Sequence, residues 1–468
     1  MAENSPIESL SREELIALLL QHAEQIKELI SVNQELRRQI EELKRKGYRS
    51  AAPFSKGTTK ASPKRPGRTP GEGLFGNRSA PAELTTLTQV HVEAPACPCC
   101  GGTLRDEGAE LVTITDIPHV PTPEVRGYLI GRARCTQCNH RLRASHPEVA
   151  TDQRGATAHR LGPRLKATAH WLHYDVGVPQ QKVPGIFKEL FGLSVTQSAL
   201  AQSAQRTVET SLAKSYRTLR GELSQADWVH SDDTGWSIAG RSAWMMGFSN
   251  ATSVVYQIRE RHRSTEVREV ITGSFDGVLI TDRFRSYDAK ELHGVRQQKC
   301  LAHILRNLSD HLRTKQGRSR CFAEELQRIF RTSLELWYAW HAGRRRGYRT
   351  AAADVQERLR HHLRDRRLRD ADNRRLLNEL GWHADRGNLL RFLDDPQIAP
   401  TNNQAERDLR PAVIARKVSH CSKTNAGAET RAVIMSVLAT LKRRGVHSIP
   451  TALHAVIATG VLPPPVGK

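Results

Sequence analysis

Trp228-Val229-His230-Ser231-Asp232-Asp233-Thr234 and, farther on, Gly277-Val278-Leu279-Ile280-Thr281-Asp282 are the stretches whose reading decides the fold. Each is a short apolar run that ends in a carboxylate. Around them the chain changes period. Residues 228–231, 243–249 and 253–259 read as three short strands with tight connections, 264–272 as a helix, and 277–281 as a short buried strand. A third carboxylate, Glu406, lies in Asn402-Asn403-Gln404-Ala405-Glu406-Arg407, within a later helix.

The rest of the chain explains why three acids matter. Over 468 residues, 71 Lys and Arg face 49 Asp and Glu, for a net charge of +22. That length suggests about three domains. Such an excess favours a nucleic-acid partner, because each neutralised phosphate releases condensed counterions. Acids gathered at one point inside a positive protein form a seat for a divalent cation, with the surrounding charge holding a polyanion over it. No apolar run reaches the length of a membrane span, and the N-terminus lacks the basic and apolar regions of a secretory signal. The expectation is a cytoplasmic, nucleoid-associated protein with no membrane partner, its eight cysteines reduced.

Working outward toward the N-terminus, the chain reads as a series of modules. In 1–45, Leu15, His22, Leu29, Leu36 and Leu43 repeat at seven, with Leu19, Ile26, Asn33 and Ile40 on the partner position. Two such seams predict a coiled coil, and a buried Asn favours an in-register pair, so a homodimer or higher oligomer is expected. Residues 46–90 are basic and rich in Pro, Gly and Ser, a flexible linker. In 91–147, Cys97/Cys100 and Cys135/Cys138 form two C-x-x-C knuckles suited to a structural Zn²⁺, with 111–117 and 124–134 read as strands of a zinc ribbon and Cys99 as a spare sulfur. Residues 150–222 read as a helical DNA-binding segment. Within it 179–191, a turn at Gly192-Leu193-Ser194 and 195–211 have a helix-turn-helix layout. Thr196, Gln197, Ser198 and Gln202 fall early on the second helix, where base edges are contacted.

Strands in hairpin order, then a helix, then a buried strand ending in Asp fit the ribonuclease-H-like arrangement, whose first acid lies on the first strand and second just after the fourth. Asp232 and Asp282 occupy those places. The chain also resembles transposases of the insertion sequence 66 family over nearly its whole length. The resemblance is carried by His230-Ser231-Asp232-Asp233-Thr234, by Thr281-Asp282-Arg283 with Tyr287-Asp288, by Cys300-Leu301-Ala302-His303, and by Asn403-Gln404-Ala405-Glu406-Arg407 with Arg410-Pro411 and Arg416-Lys417. One departure stands out: Asp233 replaces the Glu usual in the family, which makes it a competitor for the metal.

The resemblance implies a DDE-type enzyme that binds the terminal inverted repeats of its element and cleaves and joins DNA, with Asp232, Asp282 and Glu406 as catalytic metal ligands. Hard Mg²⁺ (or Mn²⁺) suits such oxygen donors, and a pair of ions can activate a nucleophile and stabilise a leaving oxygen. It also implies double-stranded DNA partners, element ends and target, and small accessory proteins of the same element. Arg407, Arg410, Arg416 and Lys417 would neutralise phosphates near Glu406. Asp233, Cys300 and His303 are candidates for supporting the site, Cys300 and His303 being one helical turn apart and equally suited to plain packing.

The expected architecture is therefore α+β and multidomain: a ribonuclease-H-like catalytic core in 223–304 and 396–430, a helical insertion in 305–395, and a C-terminal helical tail in 431–468. In the insertion Leu326, Ile329, Phe330, Leu334 and Trp337 recur at helical spacing, and an Arg-rich stretch from Arg344 to Arg375 suits DNA phosphates. Local alternatives stand beside the acids. Asp232 could cap a turn with Thr234 and Gly235, Asp282 could cap a helix near Arg283, and Asn403 with Glu406 has capping-box spacing. Two other functions fit the same modules: a non-catalytic DNA-binding regulator, and a nuclease of the same fold that cuts without joining.

Overall fold

The computed structural model describes residues 11–48, 87–88, 96–105, 123–144, 161–364 and 366–466. The basic linker and the 111–117 segment lie outside these residues, apart from the linker's ends. The first helix, α1 (Arg12–Tyr48), is continuous, and Leu19, Ile26, Leu29 and Leu36 along its seam are all exposed in the single chain. Two strands, β1 (Arg132–Arg134) and β2 (Arg141–Arg143), form an antiparallel hairpin around Cys135 and Cys138. The strand expected over 124–134 is thus only its last three residues, because strand structure needs a pairing partner and β2 reaches no farther.

Four helices follow: α2 (Pro163–Tyr174), α3 (Val183–Phe191), α4 (Gln197–Thr207) and α5 (Ala213–Ser224). Helix α3 ends at Gly192, which takes the left-handed conformation a helix C-terminus needs and glycine adopts without strain. Thr196 caps α4 by accepting from the Ala199 N–H at 3.2 Å. A π-turn at Val208–Leu212 carries α4 on into α5.

A five-stranded mixed sheet forms the centre: β3 (Trp228–Ile238), β4 (Arg241–Ser249), β5 (Val254–Arg259), β6 (Val278–Thr281) and β7 (Arg296–Lys299). Its order is β5-β4-β3-β6-β7, with β4 antiparallel to both neighbours and β6 and β7 parallel to β3. Strand β3 runs seven residues beyond the expected end at Ser231. Asp232, Asp233 and Gly235 are poor strand formers on average, but β4 pairs along the strand to Ile238↔Arg241. The hairpin closes on Ala239 and Gly240, both at positive φ, the backbone that matches the twist of two-residue hairpins.

Helix α6 (Ser264–Arg268) is shorter than expected. After β7 come α7 (Leu301–Arg313), α8 (Arg318–His341), α9 (Tyr348–His362), α10 (Ala371–Asp385) and α11 (Arg391–Asp394), then α12 (Asn403–Ser419), α13 (Asn425–Arg443) and α14 (Ile449–Thr459). Both faces of the sheet are covered, and β6 records this by period two. Leu279 joins a core with α5 and α13, whereas Val278 and Ile280 join a second core with Leu301, Ile304, Leu308, Leu326, Ile329 and Phe330 of α7 and α8. The edge strand β5 is shielded by α13: Ser436 and Thr440 hydroxyls accept from the Tyr256 and Val254 N–H groups at 2.8 and 3.0 Å. An edge satisfied in this way offers no free row of donors to another chain. Among the described residues no helix is long and apolar enough to cross a membrane.

The two acid-bearing strands meet at Gly277, just before β6. A Cβ there would lie 2.2 Å from the Ala226 carbonyl oxygen and 2.8 Å from that of Asp227. Backbone cannot move aside as a flexible side chain does. Gly277→Ala should therefore lower unfolding stability by about 3 kcal/mol, read as a shift in denaturant midpoint. Gly273→Ala, in open space, should shift it far less.

Candidate active site

The side-chain period of β3 separates the neighbouring acids. Trp228, His230 and Asp232 point to one face of the sheet, Ser231 and Asp233 to the other. Continuing the β6 alternation, Val278, Ile280 and then Asp282 fall on the face of Asp232, since Trp228 pairs with Val278 and His230 with Ile280. Helix α12 brings Glu406 over that same face. It can lie close because Gly247, the β4 partner of Asp232, has no side chain; a Cβ there would meet Leu409 Cδ2 at 3.2 Å. Asp408 clamps the helix, accepting from Ser249 Oγ at 2.6 Å and pairing with Arg443.

One buried residue ties the three acid-bearing segments together. Asn402, with no exposed surface, stands at the start of α12. Its Nδ2 donates to the Ser231 carbonyl at 2.7 Å, its Oδ1 accepts from His230 Nδ1–H at 3.0 Å, and its own N–H donates to Cys300 Sγ at 3.2 Å. Cys300 in turn donates its N–H to the Thr281 carbonyl at 2.8 Å, beside Asp282, and the Glu406 N–H donates to the Asn402 carbonyl at 3.3 Å. Sequence reasoning treated Asn402 only as context for Glu406. A polar residue at a strand-to-helix junction carries no local signal of a tertiary role.

Electrostatics follows the geometry. Burial pushes the Asp232 carboxyl up to about 7, and the charges of Asp282 and Glu406 add to the rise while a backbone hydrogen bond from Asp233 opposes it. Burial also takes Asp233 to about 7, with Asp232 and Asp282 contributing. Asp232 thus senses both other acids of the trio. Asp233 faces away toward His262, whose Nδ1 is 3.5 Å from its Oδ1. His303 Nε2 lies 3.6 Å from Glu406 Oε1, so the Cys300-to-His303 turn does border the acids. Lys299, wholly buried, pairs with Asp288 Oδ1 at 2.8 Å and donates to Thr281 Oγ1 at 3.3 Å. A buried Lys beside Asp288 and Thr281 carries no local signal; its position in Arg296–Lys299 reads as an ordinary polar strand end.

The local alternatives divide. Asp232 caps no turn, since β3 continues through it. Asp282 does work locally, its Oδ1 accepting from the Phe284 N–H at 3.0 Å. The capping box does not form: Asn402, not Asn403, is the N-cap, and its side chain is engaged elsewhere. Around α12, Arg407, Arg410 and Lys417 are exposed, with Arg407 also donating to Gln404 Oε1 at 3.0 Å. Arg416 instead reaches back to β3, donating to Thr234 Oγ1 at 3.2 Å and to the Gly235 carbonyl, which fixes the far end of α12. Thr196, Gln197, Ser198 and Gln202 are exposed at the start of α4.

The donor sets suit the two metals differently. The acids supply hard oxygens. Among the described residues no three His, Cys, Asp or Glu side chains converge on a point as ligands of one ion. The trio interacts at a distance, the charges of Asp282 and Glu406 each raising Asp232. The knuckles repeat one backbone device twice. Cys97 N–H bonds the Gly102 carbonyl and Gly101 N–H bonds the Cys97 carbonyl; Cys135 with His140 and Asn139 with Cys135 do the same. Gly101 and Asn139 both adopt positive φ. Backbone N–H groups within each knuckle, foremost those of Cys99 and Cys138, lower the Cys97 and Cys135 thiols, favouring the thiolate a metal requires.

A family model described as Transposase IS66 family matches residues 159–430, more than half of the chain. No curated protein matches it. The matched span holds Asp232, Asp282 and Glu406 and stops short of α1 and the cysteine knuckles.

The raised Asp232 carboxyl has a stability consequence. A group whose folded pKa exceeds its ordinary value costs stability once ionised: the cost sets in above about 4 and is complete by about 7. Without divalent cations, Asp232→Asn should therefore be more stable than the parent at pH 8, by about 1–3 kcal/mol. The gain should vanish as the pH falls to about 4. Denaturant midpoints across that range measure it.

Proposed function

The chain belongs to the IS66 family of transposases, and from that premise we propose that it binds the inverted repeats of its element and carries out metal-dependent DNA cleavage and strand transfer at Asp232, Asp282 and Glu406. A transposase cuts and joins DNA; the residues and the metals are the proposal. The observation that carries it is the shared face: a carboxylate on β3, one just beyond β6 and one on α12, with Asp232 raised by both others. The sheet order, with β4 antiparallel to its neighbours, supports a ribonuclease-H-like core.

Asp232, Asp282 and Glu406 would hold Mg²⁺ or Mn²⁺, which when bound lowers the pKa of an attacking water and steadies a leaving oxygen. The chain's own part is to hold those acids in place through Asn402 and to offer Arg407, Arg410 and Lys417 to the DNA backbone. Asp233, on the opposite face, is then a neighbour rather than a ligand, and His303 borders Glu406. Cys97, Cys100, Cys135 and Cys138 would hold structural Zn²⁺. Helices α3 and α4 would present Thr196, Gln197, Ser198 and Gln202 to the element ends. The exposed seam of α1 would pair with a second copy, since an apolar stripe of this length is stable in water only when covered.

The test is a strand-transfer assay on end DNA with a target plasmid. Asp232→Ala, Asp282→Ala and Glu406→Ala should each lower product by at least ~100-fold while binding to end DNA stays within about threefold. Loss of binding in all three would make the acids structural instead. Nicking should require Mg²⁺ or Mn²⁺. Equal DNA binding in chelator with no nicking under any metal would leave a regulator, and cleavage with no joined product a nuclease.

A further inference from the structure

Next to Asp282, on the side of the sheet that Asp233 and His262 occupy, stands an aromatic shelf that the proposed chemistry does not use. Phe284 lies two residues after Asp282 and is 39 % exposed. Its backbone is fixed, because its N–H donates to Asp282 Oδ1 at 3.0 Å. Its ring is fixed as well. It stacks on His262 with centroids 4.5 Å apart and planes 7° apart, and Trp244 packs at an angle against both rings, 5.5 Å from His262 and 6.4 Å from Phe284. The His262 side chain is only 2 % exposed, and neither ring nitrogen has a hydrogen-bond partner. Nδ1 has only the Asp233 carboxylate, 3.5 Å away, and burying an imidazole so poorly satisfied costs free energy. What it supplies is a rigid flat backing for Phe284. Arg261 and Arg285, each adjacent in sequence to one of the stacked rings, are exposed.

A held aromatic ring, backed on one side and partly exposed, suits a further planar group. Flanking arginines suit phosphates on either side of that group, and a single residue, Arg283, separates the ring from Asp282 in the chain. Every nucleobase has a π-face, so recognition by stacking tolerates sequence. We propose that Phe284, backed by His262, is a stacking site for one unpaired nucleobase next to the scissile phosphate. Its role is to hold the DNA end open so that the phosphodiester reaches the acids. This rests on the reading of Asp232, Asp282 and Glu406 as the cleavage site.

The test uses the full-length protein and its element's terminal repeats. Permanganate reactivity of thymines flanking the cleavage position is read with Ca²⁺ in place of Mg²⁺, so that no strand need be cut. Wild type should make a thymine there hyperreactive; Phe284→Ala and Phe284→Leu should not, and Phe284→Trp should. Cleavage is then compared on fully paired ends and on ends carrying one mismatched base at that position. Phe284→Ala should lose roughly 5- to 100-fold on paired ends, the worth of one base–aromatic stack, and recover most of it on the mismatch. Equal losses on both substrates would mean a structural role, and no loss on either would mean no role; each overturns the proposal. So would a Phe284→Ala protein whose change is in oligomeric state, which would make the ring a protein contact. Hyperreactivity lost in Phe284→Ala supports the stacking site even if the protein cuts neither substrate, the result that would count against the cleavage site alone.

Discussion

The arrangement depends on satisfying one buried amide. Asn402 has no access to solvent, so each of its polar atoms must find a partner inside the protein. The partners it finds are the Ser231 carbonyl, the His230 ring and Cys300. These lie next to Asp232, next to the segment carrying Asp282, and at the start of α7. Losing the amide would strand a carbonyl and a ring N–H in the interior, at about 1–3 kcal/mol each. The constraint is therefore strong enough to hold three distant parts of the chain within one small volume.

Around that knot the protein accepts unfavourable electrostatics. Asp232 and Asp233 are both held where burial disfavours their charge, and Lys299 is buried beside Asp288 with its own charge disfavoured by burial. A fold selected only for stability would replace such groups with apolar ones. Perturbed carboxyls side by side on one strand are the pattern of a working site. The aromatic shelf of Trp244, His262 and Phe284 adds a poorly satisfied buried group, the His262 imidazole, beside Asp233.

Much of the fold was legible because its elements are strongly patterned. The apolar runs ending at Ser231 and Thr281, the helical spacing of Leu326, Ile329, Phe330, Leu334 and Trp337, and the Gly192 helix stop all have local physical causes. What was misread lay where pairing overrides propensity. Strand β3 extends through Asp232-Asp233-Thr234-Gly235 because β4 supplies hydrogen bonds along it. The 124–134 segment becomes a strand only at Arg132–Arg134, where β2 supplies them. Arg416, grouped by sequence with Arg407 and Arg410, turns inward to β3.

By itself the sequence determined which residue types are present and in what order: three carboxylates in polar contexts, two cysteine knuckles, a heptad seam and a large basic excess. Those follow from composition and short-range period, which need no third dimension. Only the tertiary structure decided that Asp232 rather than Asp233 lies on the face that α12 and Glu406 cover, that Asn402 ties the acid-bearing segments together, and that Phe284 stands exposed beside Asp282. The reason is that a strand's alternation assigns neighbours to opposite faces, and which face becomes the site depends on which distant helix packs there.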